Sequence, residues 1–308
     1  MKYVSTLLLL LVLALTGRAQ TSFPVARPLR PLPAVEHVVI VSIDGLRPDL
    51  ALLADMPNLR SLLKQGAYTF WAKTTAVAIT LPSHTSMLTG VTPQKHGIEW
   101  NRDLPFSEPV YSNVPTIFEM AKRVGYTTAL VAGKSKFIAL CKPGTLNWKF
   151  VASEAKGDNA EVLVNAVKII EEKKPDVLFV HFPDVDGVGH AKGWGSLEQL
   201  ACIEKTDSQL GELLAAMERA GVRSSTFIIV TSDHGGAGLS HGADDARSRH
   251  IPWIAVGPGV RKNFDLTSSA SLEVRTEDTC ATACYLLGLP QAPYFDGRPV
   301  TAAFELAP

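Results

Sequence analysis

The 308-residue chain has no excess of charge: 30 Lys and Arg stand against 30 Asp and Glu, for a formal net charge of zero. That balance argues against a nucleic-acid polymer as partner and leaves any pull on an anionic ligand to a local site or a metal. Cysteine is scarce. The four present include no C-x-x-C pair, which removes the usual cysteine metal site. Cys280 and Cys284, four apart on an expected helix, run parallel and are not expected to bond, while a Cys141–Cys202 bridge stays open. The glycines at 235–242 miss the dinucleotide pattern, because His241 stands where the last glycine would. Internal repeats and low-complexity tracts are absent.

A long apolar run is missing too. Leu7–Leu15 is too short to span a bilayer comfortably. With Lys2 before it and Gly17-Arg18-Ala19 after it, residues 1–19 read as a signal peptide cleaved after Ala19. No cysteine follows the site to carry a lipid, so the expectation is export to the periplasm or medium without stable membrane association. An uncleaved anchor is the alternative. Residues 20–34, with four prolines, read as a linker. The remainder, 35–308, is long enough and, at 46% hydrophobic overall, apolar enough for one full α/β core.

What is present is an alternation of two periods. Apolar, β-branched runs at His37–Ile43, Ala67–Lys73, Tyr126–Ala132, Asp176–Phe182, Thr226–Thr231 and Ile251–Val256 read as strands, the last nearer an edge because of Pro252. Between them, stretches up to Lys64, at 113–124, at Asn159–Lys174, at 197–220 and at 277–287 read as helices. The pattern predicts a three-layer α/β/α sandwich on a mostly parallel sheet.

Open α/β sheets place their sites at the C-terminal ends of strands. Three such ends carry aspartate: Asp44 after the first run, Asp186 in a glycine-punctuated loop after the Asp176 run, and Asp233 after the Thr226 run. Histidines accompany them. His190 lies four past Asp186, His234 follows Asp233, and His241 comes seven later. Carboxylate with imidazole suits zinc or its neighbours. Thr80, two before Pro82, sits at a helix start, where free N–H groups and the positive dipole end favour an anion. Asn101 follows soon enough to return an amide there. Lys134 and Lys136, past the Tyr126 run, can point at a phosphate. Taken singly, each is also an ordinary cap, turn or solvated surface residue.

As an ordered set these pieces resemble the alkaline phosphatase superfamily, and most its type I phosphodiesterase/nucleotide pyrophosphatase branch. The matching stretches are IDGLRP at 43–48, ITLPSH at 79–84, TG-x-x-P-x-x-HGI at 89–98, DVDGVGH at 184–190, TSDHGG at 231–236 and SHG at 240–242. The resemblance implies an alkaline phosphatase-like catalytic domain with two divalent ions, expected to be Zn2+. One is held by Asp186, His190 and His241. The other is held by Asp44, Asp233 and His234 and faces the hydroxyl of Thr80. Thr80 becomes the nucleophile, and Asn101 binds a phosphoryl oxygen beside the Thr80 N–H. Two ions and three aspartates leave the site at +1 before substrate. The reaction implied is cleavage of a phosphodiester or pyrophosphate in a small molecule through a covalent phospho-threonine, completed by water. Asp184 has no counterpart in the pattern.

The match departs from the branch in one respect. His241 follows His234 closely, where nucleotide pyrophosphatases carry an insertion, so the cap is minimal and a nucleotide preference does not carry over. Threonine-using monoesterases of the superfamily place Lys and Arg near the phosphate, and Lys134 with Lys136 imitates that pair without Arg's bidentate fork. Phosphate monoester hydrolysis is therefore the alternative activity. A sulfatase would need Cys or Ser in C/S-x-P-x-R, which Thr80-Leu81-Pro82-Ser83-His84 does not supply. A phosphoglycerate mutase relative would need a second inserted domain, for which there is no room. A non-catalytic metal-binding interaction module is the non-enzymatic alternative.

Overall fold

The computed structural model describes residues 27–102, 109–153, 157–242, 244–269 and 272–305. The expected signal peptide lies outside them. Eight strands among the described residues form one sheet: β1 His37–Ile43, β2 Ala67–Lys73, β3 Thr128–Ala132, β4 Trp148–Val151, β5 Val177–Phe182, β6 Thr226–Thr231, β7 His250–Val256 and β8 Phe264–Asp265. Their order across the sheet is β4-β3-β5-β1-β6-β7-β2-β8. Pairs from β4 to β6 are parallel, as is β2 with β8, while β7 runs antiparallel to both of its neighbours.

Ten α-helices among the described residues flank it: α1 Pro48–Leu53, α2 Pro57–Gln65, α3 Thr80–Thr89, α4 Pro93–His96, α5 Ile117–Arg123, α6 Asn159–Lys173, α7 Asp184–Lys192, α8 Leu197–Arg219, α9 Ala246–Arg249 and α10 Thr276–Leu286. The apolar strands are buried on both faces, and their alternate residues enter two separate cores. Val38, Ile40, Phe179 and Ile229 pack with α3, α5 and α10. Val39, Val41, Val180 and Val230 pack with α1, α2, α6 and α8 on the other face. The three-layer sandwich is the fold of this chain.

Two local expectations change. Ile251–Val256 is not near an edge, because β7 sits between β6 and β2. Pro252 is tolerated there because the β2–β7 register slips between Thr69 and Ala72, and its carbonyl still accepts the Thr231 hydroxyl at 2.8 Å. The end of the proline-rich stretch, 27–34, forms no helix or strand but is tied to the domain. Arg27 pairs with Asp176 at 2.7 Å and lies over the Tyr126 ring, and Leu32 packs against the core. All four cysteines are free thiols.

Candidate metal centre

The three middle strands, β5, β1 and β6, all end on one side of the sheet, and each delivers one aspartate there. Asp44 directly follows β1, Asp233 lies two past the end of β6, and Asp186 lies in the first turn of α7, just beyond β5. The stretch expected to be a loop is thus a helix, and Asp186 and His190 meet as an i,i+4 pair on one face. Gly189 is glycine for packing: a Cβ would lie 2.8 Å from the Trp194 ring. Gly45, at φ +76°, lets the Asp44 turn approach α7, since a Cβ there would stand 3.0 Å from Asp186 Cα.

Each aspartate has one oxygen held and one left over. Asp44 Oδ2 accepts from Lys134 Nζ at 2.6 Å and from His181 Nε2 at 2.8 Å. Asp186 Oδ2 accepts from the same Lys134 at 2.6 Å, and Asp233 Oδ1 accepts from Gly45 N–H at 3.1 Å. Asp44 Oδ1, Asp186 Oδ1 and Asp233 Oδ2 are buried without a hydrogen-bond partner. The histidines complement them. His190, His234 and His241 each donate Nδ1–H to a backbone carbonyl, of Leu239, Gly235 and Ala78 at 2.9, 2.9 and 2.8 Å. That fixes the tautomer and turns the Nε2 lone pair inward.

His234 Nε2 stands 3.4 Å from Asp44 Oδ1 and 3.2 Å from Asp233 Oδ2. His190 and His241 Nε2 stand 3.4 and 3.6 Å from Asp186 Oδ1. Lone pairs of neutral imidazole facing lone pairs of orphaned carboxylates are reconciled by a cation between them, so these residues fit a metal. Two overlapping groups could hold one: Asp186, His190 and His241, and Asp44, Asp186 and His234, with Asp233 beside the second. Asp186 belongs to both.

Burial, with His241 stacked at 3.7 Å, pushes the His234 imidazole down to about 4. Burial and the Asp44 charge raise Asp233 well above the carboxylate range. Burial would raise Asp44 as well, but Lys134, His181 and His234 pull it below that range.

Thr80 is the first residue of α3, with Ile79 as cap, so the helix opens two residues before Pro82. The hydroxyl is buried, 3.3 Å from His234 Nε2. Every residue of this polar helix is buried, and its hydroxyls are satisfied internally: Thr85 and Thr89 donate one turn back, and Ser83 donates to the Asp233 carbonyl. Asn101 does return an amide to the helix start, its Oδ1 accepting Leu81 N–H at 3.0 Å. Lys136 Nζ lies 3.0 Å from the Asn101 carbonyl and 3.2 Å from Oδ1. Lys134, expected at a phosphate, stands between Asp44 and Asp186, on the wall of the cavity that Thr80 also lines. A cavity of about 940 Å³ opens beside Thr80, lined also by Arg102, Asp184, Glu198 and Lys205.

Sequence reasoning missed the residues behind the centre. Ser42 and His181 pair across β1 and β5, each the polar residue late in an apolar strand, and that break in pattern was the available signal. His84 donates Nδ1–H to the Thr80 carbonyl at 2.8 Å and accepts from Ser42 Oγ at 2.7 Å, which anchors the first turn of α3. His96 accepts Ile98 N–H on Nδ1 at 3.0 Å and donates from Nε2 to the Pro82 carbonyl at 3.2 Å. Asp184 is structural, exchanging backbone-to-side-chain bonds with Asn159 at 3.0 Å each.

Burial pushes His96 down to about 4, so between pH 6.5 and 4 the unfolded chain takes up a proton that the folded chain refuses. The stability it contributes is complete above 6.5 and lost as pH falls, up to about 3 kcal/mol for this one group. Melting curves should show Tm falling through that window, with a shallower fall in His96→Gln. Equal slopes for the two proteins would refute the assignment.

A family model described as type I phosphodiesterase / nucleotide pyrophosphatase matches residues 38–246, which takes in all of these ligands. The chain belongs to this family. Among curated members, the human bis(5'-adenosyl)-triphosphatase ENPP4 is 26% identical over 214 residues, covering 64% of this chain and 47% of that protein. The chain spans about half the length of the curated phosphodiesterases it matches. Among solved structures, murine ectonucleotide pyrophosphatase/phosphodiesterase 5, an inactive threonine-to-alanine variant bound to AMP, superposes with TM-score 0.74 at 18% identity. That match covers 88% of this chain and 100% of the other. A 2-O glycosaminoglycan sulfatase superposes at TM-score 0.71 and 14% identity, covering 90% and 74%. Those two structures carry the fold alone. No helix among the described residues is long and apolar enough to cross a membrane.

Proposed function

We propose that this phosphodiesterase-family protein is an exported hydrolase that cleaves phosphodiester or pyrophosphate bonds in small molecules, using two divalent ions and a covalent intermediate on Thr80. The observation that carries this reading is the convergence of three orphaned carboxylate oxygens and three inward imidazole lone pairs beside one hydroxyl at a helix start. Asp186, His190 and His241 would hold one ion, and Asp44, Asp233 and His234 the other, zinc by the donor set. Bound there, they would supply acidification of a hydroxyl and compensation of phosphoryl charge.

The chain's own residues supply the rest. Thr80 Oγ bonds to phosphorus as the bond to the leaving oxygen breaks, and water then cleaves the threonine ester to restore the hydroxyl. Asn101 Oδ1 is taken by Leu81 N–H, so its Nδ2 is the end left to donate to a phosphoryl oxygen. The α3 N-terminus adds a positive dipole end at the same place. All six candidate metal ligands and the nucleophile being present and gathered supports an enzyme over a non-catalytic metal-binding module. Export rests on the leader at 1–19.

Monoester hydrolysis is the second reading, favoured by the position of Lys134 inside the centre and of Lys136 on Asn101. Bis-p-nitrophenyl phosphate and p-nitrophenyl phosphate separate the two. Faster turnover of the diester is expected, and the reverse order would transfer the assignment to the monoesterase.

A further inference from the structure

The centre holds a fixed cation of its own. Lys134 Nζ is buried and joins one carboxylate from each metal-ligand group, taking Oδ2 of Asp44 and of Asp186 and leaving both Oδ1 atoms free. Three aspartates with Lys134 leave a charge of −2, which a single divalent ion neutralises. A second ion takes the buried site to +2, which is costly unless an anion enters with it. The two ligand groups are also unequal. Asp44, Asp233 and His234 are fully buried and bring two carboxylates. Asp186, His190 and His241 bring one, already paired to Lys134, and the His190 side chain is 42% exposed.

We propose that Lys134 makes the two ions unequal: one is held permanently by Asp44, Asp233 and His234, and the other joins at Asp186, His190 and His241 only together with an anionic phosphoryl group. This rests on the two-ion reading above and adds to it an order of loading. A dianionic phosphate brings the fully loaded site back to neutrality, whereas a monoanionic diester leaves it at +1, so the dianion recruits the second ion more strongly.

Zinc-buffered equilibrium dialysis of the metal-stripped full chain, with and without inorganic phosphate, tests the proposal. Wild type should hold one zinc tightly, and phosphate should raise the affinity for the second by about tenfold or more, the order of one charge pair at a partly exposed site. Lys134→Met should bind two ions with little response to phosphate, and Lys134→Arg should return the phosphate dependence. Melting curves establish that each variant is folded, and if the Met variant is not, the wild-type phosphate response alone decides. Two ions of equal affinity in wild type, indifferent to phosphate, would overturn the role of Lys134 while leaving the two-ion site intact. Less than one ion per chain would overturn the metal centre itself.

Discussion

Thr80→Ala should cut turnover by about a thousandfold or more, equivalent to about 4 kcal/mol of transition-state stabilisation, while leaving the metal content unchanged. The separation of effects follows from the geometry. The hydroxyl is 3.3 Å from His234 Nε2 and contributes nothing to holding the orphaned carboxylates, whose other oxygens are fixed by Lys134, His181 and Gly45. The backbone of the first turn of α3 is anchored independently, by Ser42 through His84. Melting should therefore move by no more than about 4 °C. Thr80→Ser keeps a nucleophile in the same place and should keep a substantial part of the rate. Steady-state kinetics paired with zinc analysis of the same preparation checks both halves, and a variant that loses its zinc would assign Thr80 to metal binding rather than to chemistry.

Removing the metal should have the other large effect. A chelator should abolish turnover and lower Tm, with both recovered on adding zinc back. In the stripped protein three buried carboxylate oxygens have no partner and face neutral imidazoles. An ion that binds only the folded chain stabilises it by about 2.7 kcal/mol when its free concentration is a hundredfold above its Kd. Because Asp186 brings the single carboxylate of its ligand group and is buried, Asp186→Asn should lose more zinc and more thermal stability than His190→Ala, whose side chain is partly exposed. Unchanged activity after exhaustive chelation would exclude a metal-dependent reaction.

The strand-end aspartates were legible because the apolar runs of β1, β5 and β6 stop at them, and a doubly covered strand can stop in little else than a site or a turn. The i,i+4 relation of Asp186 and His190 was legible as spacing but assigned to the wrong backbone. Two glycines read as loop, whereas Gly189 marks where the Trp194 ring packs against α7. Pro252 misled for a related reason: its exclusion from interior strands is relieved by a register slip in β2, a property of the partner strand. Lys134 was out of reach of local reasoning. A lysine after a strand is ordinarily solvated, and its two carboxylate partners lie 90 and 52 residues away. His181 and Ser42 were visible only as polar breaks in apolar strands, and which face they broke depended on the sheet register.

The central claim is that Thr80 carries the phosphoryl group. Rapid acid quench of wild-type protein turning over p-nitrophenyl phosphate, followed by peptide mass analysis, tests it directly. The account predicts a phosphoryl adduct on Thr80, in the peptide spanning 74–95. An adduct on any other residue, or an unmodified Thr80 throughout the turnover phase, would contradict it.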